Sequence, residues 1–151
     1  MKESRTEIEI KSSPVRVWES LMDFPAFPDW NPFIRQIEGE PTMGSKLEVF
    51  LQASGTKGMT FRPRVKRIEA NHELRWLGHL GIPGLFDGAH VFEIHAVGPD
   101  RVRFVQREEF RGILVPFLAR MLERDTRREF EDMNRALRAR VEGTGIPNPK
   151  V

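Results

Sequence analysis

The stretch from Leu114 to Val141 contains no glycine, and its one proline, Pro116, lies in the first turn, where a helix tolerates it. Gly143, just beyond, is typical of a helix end. The pattern predicts one long C-terminal helix. Its apolar residues form two stripes, the second rotated by roughly a quarter turn at about 100° per residue. Such a rotation suits a helix whose two halves contact different walls of a curved sheet. The stripes are Leu114, Leu118, Met121 and Leu122, then Phe130, Met133, Leu137 and Val141.

Short strand-like segments precede this helix, and turns rather than helices separate them. This spacing predicts an antiparallel meander rather than βαβ units. We therefore expect an α+β fold in one domain over residues 1–143, with a flexible tail over 144–151. The segments are Ile34–Glu38, Lys46–Ala53, Met59–Glu69, Glu73–Leu80, Leu85–Val97 and Arg101–Arg111.

The region before the meander predicts a strand followed by short helices. Thr6–Lys11 alternates polar and apolar residues, which indicates a strand with one buried face. Ser12-Ser13-Pro14 has the pattern of a helix N-cap followed by a proline in the first turn. The proline-rich stretch Phe24–Pro32 predicts a short helical turn or a loop that carries bulky aromatic residues.

Composition excludes several classes of function. The 151 residues include no cysteine, so disulfides, thiolate catalysis and cysteine-bound zinc are excluded. With a net charge of +2, the sequence lacks the excess of basic residues that nucleic-acid binders usually carry. The four histidines fall on different strands and faces, so we expect no metal and no cofactor. No signal-peptide pattern and no membrane-length apolar run occurs, which predicts a cytoplasmic protein. Eleven Phe and three Trp without any Tyr suit the lining of a core or cavity.

Four polar residues fall on faces that otherwise look buried. Strand alternation places His90, Gln106 and Glu108 on inward faces, and Asp125 lies on the inner side of the helix. A buried, unpaired carboxylate costs several kcal/mol or becomes protonated. These residues therefore either satisfy one another or reach solvent, or they are the few convergent polar groups of an apolar pocket. A lone histidine on such a face is more often a satisfied interior histidine than a catalyst.

Aromatic residues in two loops suggest a gate for such a pocket. Trp30 lies in the proline-rich loop, and Gly81–Gly84 with Phe86 forms a second loop whose glycines could serve as hinges. Plain core packing is the alternative for the tryptophans. The predicted lining comprises Trp30, Phe61, Trp76, Phe86, His90, Phe92, Phe104, Gln106, Glu108, Leu118, Met121, Leu122 and Asp125.

Several motifs resemble the START-like (SRPBCC) superfamily, and within it the polyketide cyclase/dehydrase and lipid-transport family. They are Ser13–Glu19, Phe27–Pro32, Leu74–Trp76, Phe86–Glu93 and Glu108–Leu114. The resemblance implies a helix-grip fold, in which a curved antiparallel sheet wraps around a long C-terminal helix with two short helices after the first strand. It also implies a cavity for lipids, polyketides or other hydrophobic ligands. It supplies no catalytic residues, because that family has no universal catalytic set.

Three functions remain open at this stage. The first is a carrier or sensor of a small hydrophobic molecule, as a monomer or homodimer. The second is a cyclase or dehydratase, in which His90 is the base and Glu108 or Asp125 orients it. The third is a protein-interaction module that uses the arginine-rich helix, although pairs such as Glu131–Arg135 are ordinary on a solvated face. Those arginines are Arg120, Arg124, Arg127, Arg128, Arg135, Arg138 and Arg140.

Overall fold

The computed structural model describes residues 2–53, 55–79 and 81–143, and their side chains except those of 119–125. Eight strands and three α-helices follow one another in these ranges, with a 3₁₀ turn at Phe24–Ala26. The strands are β1 (Lys2–Ile10), β2 (Ile34–Glu38), β3 (Glu48–Leu51), β4 (Met59–Phe61), β5 (Arg64–Glu69), β6 (Glu73–His79), β7 (Asp87–Gly98) and β8 (Arg101–Arg111). The helices are α1 (Pro14–Met22), α2 (Phe27–Trp30) and α3 (Val115–Gly143).

All strand pairs are antiparallel. The main sheet has the order β1-β8-β7-β6-β5, and a smaller sheet has the order β2-β3-β4. Backbone hydrogen bonds from Leu47 to Pro63 and from Val65 to Ser45 connect the segment before β3 with β5. The predicted α+β helix-grip architecture is confirmed: a curved antiparallel sheet, two short helices after β1 and a long C-terminal helix.

The prediction of one strand over Met59–Glu69 is wrong, because the structure divides this segment into β4 and β5. Pro63 lies at the division, where it has no N–H with which to continue the ladder. β1 also begins four residues earlier than Thr6, which adds Ser4 to its inward face. The predicted tail over 144–151 lies outside the described residues.

The start of α1 confirms the predicted cap. The Ser13 side chain accepts a hydrogen bond from the backbone N–H of Arg16 at 3.3 Å, and Pro14 occupies the first turn. Val17 and Leu21 are fully buried. The cap and the buried stripe together fix α1 against the core. Arg16 of α1 donates to the Val141 carbonyl at 3.5 Å, which places α1 beside the C-terminal half of α3.

The C-terminal half of α3 packs tightly on the sheet. Its predicted stripe of Phe130, Met133, Leu137 and Val141 is buried, with no member more than 2% exposed. Leu114, just before α3, and Leu118, in its N-terminal half, are only half-buried, and Met121 and Leu122 lie outside the described side chains. The concave side is therefore solidly packed under one end of the helix. No helix among the described residues is long and apolar enough to cross a membrane.

Charged side chains pair extensively on the outer face of the main sheet. Arg107 binds Glu93 at 2.8 Å, Glu3 at 3.3 Å and also Glu109. On α3, Arg135 pairs with Asp132 rather than with the predicted Glu131. Arg135 thus has a partner on its own helix, as is usual on a solvated face.

Candidate ligand site

One row of residues crosses four strands on the concave side of the main sheet. The register places Ser4 of β1 opposite Glu108 of β8, Glu108 opposite His90 of β7, and His90 opposite Trp76 of β6. Directly opposed side chains on one face lie close enough to interact. The row therefore brings three polar side chains together beside an aromatic ring.

His90 is buried among aromatic rings. Its side chain is only 3% exposed. The imidazole stacks on Phe92 with ring centroids 4.2 Å apart and lies 4.7 Å from Phe130 and 5.4 Å from Trp76. This apolar enclosure lowers the pKa of His90 to about 4, an effect that the hydrogen bond with Gln106 only partly offsets. His90 is therefore neutral at physiological pH.

A chain of buried hydrogen bonds holds His90 in place. Gln106, which is fully buried, donates from Nε2 to Asn134 Oδ1 at 2.7 Å and to the Phe130 carbonyl at 3.4 Å. Its Oε1 lies 2.9 Å from His90 Nε2. Asn134 in turn donates to Thr6 Oγ1 at 2.9 Å. The chain thus joins β7, β8, α3 and β1 at one point of the core.

The direction of this chain fixes the tautomer of His90. A backbone carbonyl can only accept, so the amide nitrogen of Gln106 must face Phe130 and Asn134, and its oxygen must face His90. Neutral His90 therefore donates from Nε2 and keeps the lone pair on Nδ1. That nitrogen lies 3.6 Å from Glu108 Oε1, which is longer than a hydrogen bond.

Glu108 lies at the edge of the packed region, with its side chain 16% exposed. Burial, and then the negative charge of Glu109, raise the pKa of Glu108 to about 8. The carboxyl leans toward Gly88, where a Cβ would come within 3.1 Å of Oε2. The absence of a side chain at Gly88 therefore leaves room for the carboxyl, which is mostly protonated at neutral pH.

Two polar atoms near this row have no hydrogen-bond partner. They are Ser4 Oγ and Trp76 Nε1, both buried and both without a partner among the described residues. Unpaired buried polar groups are uncommon in proteins, and each costs about 1–3 kcal/mol. Three further atoms of this kind, Ser12 Oγ, Trp30 Nε1 and Asn31 Nδ2, lie away from the row. In the row, the two unpaired donors could bind an acceptor group of a ligand.

The predicted lining residues divide into three groups. Trp76, Phe92 and Phe104 are at most 1% exposed and belong to the packed core, as do His90 and Gln106. Trp30, Phe61, Phe86, Glu108 and Leu118 are half-buried. Met121, Leu122 and Asp125 lie outside the described side chains, so the predicted partnership of Asp125 with Glu108 stays a prediction.

The two loops with a predicted gating role are both anchored. Trp30 packs its ring on Phe27 with centroids 5.1 Å apart. In the second loop, Asp87 accepts hydrogen bonds from the Gly84 N–H at 3.1 Å and contacts His79 Nδ1 at 2.7 Å. Its hydrogen bond with His79 is the main reason that the pKa of Asp87 is lowered. A gating role for either loop stays a prediction.

The second loop also fits tightly against the start of α3. Ile113 and Leu114 donate backbone hydrogen bonds to the carbonyls of Gly84 and Leu85. Gly112 makes this junction possible, since its φ of +124° and a Cβ position only 2.5 Å from the Leu85 carbonyl oxygen exclude a side chain.

Sequence reasoning missed Ser4, Thr6 and Asn134 as site residues. Ser4 and Thr6 share the strand parity of the apolar Ile8 and Ile10, which was a usable signal. Asn134 lies four residues after Phe130, one helical turn along the same side of α3. Among the described residues, no three His, Cys, Asp or Glu side chains come together as a metal would require.

Comparison with known proteins places this geometry in a family. The sequence profile of "Polyketide cyclase / dehydrase and lipid transport" matches residues 1–142. A START superfamily protein from Mycobacterium smegmatis is similar in structure, with a TM-score of 0.77, 21% identity, and 95% of this chain and 99% of that chain covered. No functionally curated protein matches the sequence.

Two enzymes share the fold at lower identity. The Zhui aromatase/cyclase from Streptomyces sp. R1128 has a TM-score of 0.78 at 17% identity, with 97% and 96% of the two chains covered. Norcoclaurine synthase from Thalictrum flavum has a TM-score of 0.74 at 15% identity, with 95% and 96% covered. Identities this low establish only the common fold. The profile match over nearly the whole sequence establishes more: the chain belongs to the polyketide cyclase/dehydrase and lipid-transport family.

Proposed function

We propose that the chain binds a small hydrophobic molecule between the main sheet and the N-terminal half of α3, as a carrier or sensor. The observation that carries the proposal is the Glu108 carboxyl, which is mostly buried yet 16% exposed at the edge of the packed core. Next to a solidly packed core, the inner face carries a mostly buried carboxyl without a cationic partner among the described residues, and an unpaired Ser4 hydroxyl. An apolar surface with a few convergent polar groups is the usual composition of a small-molecule site.

The apolar surroundings supply the driving force. Phe61 and Phe86 are half-buried, and Phe86 contacts Phe110 with ring centroids 5.7 Å apart. Each square ångström of apolar surface that a ligand removes from water contributes about 25 cal/mol. Covering these rings with a guest would therefore favour binding of an apolar body.

A substitution that fills the site tests the proposal. Gly88→Leu places a side chain at the position that the Glu108 carboxyl now approaches, so we expect at least a tenfold weaker affinity for an uncharged fluorescent probe such as Nile red. Gly98→Leu, at the other end of β7, has only Arg101 Cβ near its new Cβ, at 4.0 Å, and is the matched control. Thermal melting of both variants checks that they fold. Unchanged affinity in folded Gly88→Leu, or no uptake of the probe by the wild type, would contradict the proposal.

A second candidate is an enzyme of the cyclase or dehydratase type, and the protonation of Glu108 favours it. A pKa of about 8 suits a general acid near neutral pH. Both ring nitrogens of His90 face protein groups, Nε2 toward Gln106 and Nδ1 toward Glu108. The geometry therefore supports Glu108 as the proton-transferring group and His90 as a positioning residue, the reverse of the roles inferred from the sequence.

The two candidates differ in one outcome. If the chain is an enzyme, Glu108→Gln abolishes turnover of a poly-β-ketone substrate while binding of the same compound persists. If the chain is a carrier, the wild type binds the compound and returns it unchanged, as mass spectrometry of the recovered ligand would show.

A further inference from the structure

The electrostatic surroundings of Glu108 restrict the chemistry of a ligand's polar end. The groups directly opposite the carboxyl on the neighbouring strands are uncharged: Ser4 on β1 and the neutral His90 on β7. Lys2, two residues before Ser4 on the same face of β1, lies opposite Phe110 rather than Glu108. The charged Arg107 and Glu109 lie on the opposite face of β8 and bind each other there. The titratable group described next to the Glu108 carboxyl is His90, at 3.6 Å, and it is neutral.

A mostly buried carboxyl in such surroundings is a hydrogen-bond donor. Its protonated form presents one O–H, whereas the ionised form would present only acceptors. Two other unpaired groups in the row, the Ser4 hydroxyl and the Trp76 Nε1–H, can also donate. The row therefore offers three donors, has the lone pair of His90 Nδ1 as an acceptor, and lacks a fixed negative charge.

We infer that this site selects an uncharged apolar molecule whose polar end is a hydrogen-bond acceptor, such as a ketone or an aldehyde, and that Glu108 donates to it. The inference rests on the proposed function, because it specifies the ligand of the same site. It excludes ammonium ligands, which would require an ionised carboxylate. The pKa of about 8 supports the same assignment, since it keeps the O–H in place at neutral pH.

Three naphthalenes with the same carbon skeleton test this inference. They are 2-acetylnaphthalene, which carries the acceptor, 2-ethylnaphthalene, which lacks it, and 1-(2-naphthyl)ethylamine, which carries a cation. At pH 6.5 we expect the ketone to bind about fivefold to tenfold more tightly than the hydrocarbon, as one hydrogen bond contributes. The amine should bind most weakly. Affinities are measured by fluorescence titration.

Two variants test whether Glu108 causes the tighter binding of the ketone. At pH 9 the carboxyl is ionised in the wild type, so the ketone should lose its advantage over the hydrocarbon. Glu108→Gln keeps an N–H donor and cannot ionise, so the advantage should persist at pH 9. Glu108→Leu removes the donor, so the ketone and the hydrocarbon should bind equally at both pH values.

The possible outcomes separate this inference from the proposed function. Equal binding of the ketone and the hydrocarbon to the wild type would overturn the inference and leave a simple apolar site. Tightest binding of the amine at pH 6.5 would also overturn it, because the carboxyl would then be ionised. Failure of all three compounds to bind would overturn the proposed function itself.

Discussion

Gln106→Ala is expected to lower the free energy of unfolding by about 3–5 kcal/mol. Gln106 is fully buried, and its amide bridges His90, Asn134 and the Phe130 carbonyl. Truncation removes these hydrogen bonds, leaves the Nε2–H of His90 without an acceptor and creates a cavity between β8 and α3. Urea unfolding at pH 7.5, followed by circular dichroism, measures the loss.

Gln36→Ala is the matched control for this experiment. Gln36 is exposed, and its amide contacts only Glu38 at 3.0 Å, so the same truncation should cost less than about 0.5 kcal/mol. If both variants lost similar stability, the buried hydrogen bonds of Gln106 would contribute little to the free energy of unfolding. Aromatic packing alone would then hold His90 in place. A loss of stability confined to Gln106→Ala would show that these hydrogen bonds hold α3 over the sheet.

The free energy of unfolding of the wild type should fall by about 1 to 2 kcal/mol between pH 6.5 and pH 8 through Glu108 alone. The folded state holds the pKa of Glu108 at about 8, above the ordinary value of 4.5. The folded protein therefore binds the proton more strongly than the unfolded chain does. This stabilisation is complete below pH 4.5 and is lost as the pH rises through 8.

At pH values below 6.5, His90 changes the free energy of unfolding in the direction opposite to Glu108. Its folded pKa of about 4 lies below the ordinary value of 6.5. Its contribution to stability is therefore present above pH 6.5 and is lost as the pH falls toward 4. In the unfolded chain the histidine is still half protonated at pH 6.5, so between pH 6.5 and 8 His90 contributes an opposite change of about 0.4 kcal/mol. Because wild type and Glu108→Gln share this contribution, the difference between them reports on Glu108.

Glu108→Gln should remove this component of the pH dependence, since the amide does not titrate. The difference between wild type and variant at each pH isolates the one carboxyl from other titrating groups. Glu40→Gln, at an exposed position, is the control and should leave the wild-type slope unchanged. If wild type and Glu108→Gln showed parallel stability curves from pH 6.5 to 8, Glu108 would titrate normally, and its role as a donor would be lost as well.

Short-range patterns in the sequence determined the architecture and the inward faces. The alternation along β7 and β8 placed His90, Gln106 and Glu108 on the concave side, and helical spacing placed Phe130 in the buried stripe of α3. These properties depend on neighbouring residues along the chain, so a single sequence contains them. The same is true of the Ser13 cap, whose hydrogen bond spans three residues.

Only the tertiary structure decided which groups each polar residue meets. Asn134 and Thr6, which complete the hydrogen-bond chain, come from α3 and β1, and they are separated from Gln106 by 28 and 100 residues. The register that places Ser4 beside Glu108 likewise depends on how the first strand pairs with the last. Burial by these distant elements also sets the protonation of Glu108, and the contact with Gln106 sets the tautomer of His90. Local periodicity can show which residues face inward, but partners, protonation and hence chemistry arise from contacts that only the folded chain creates.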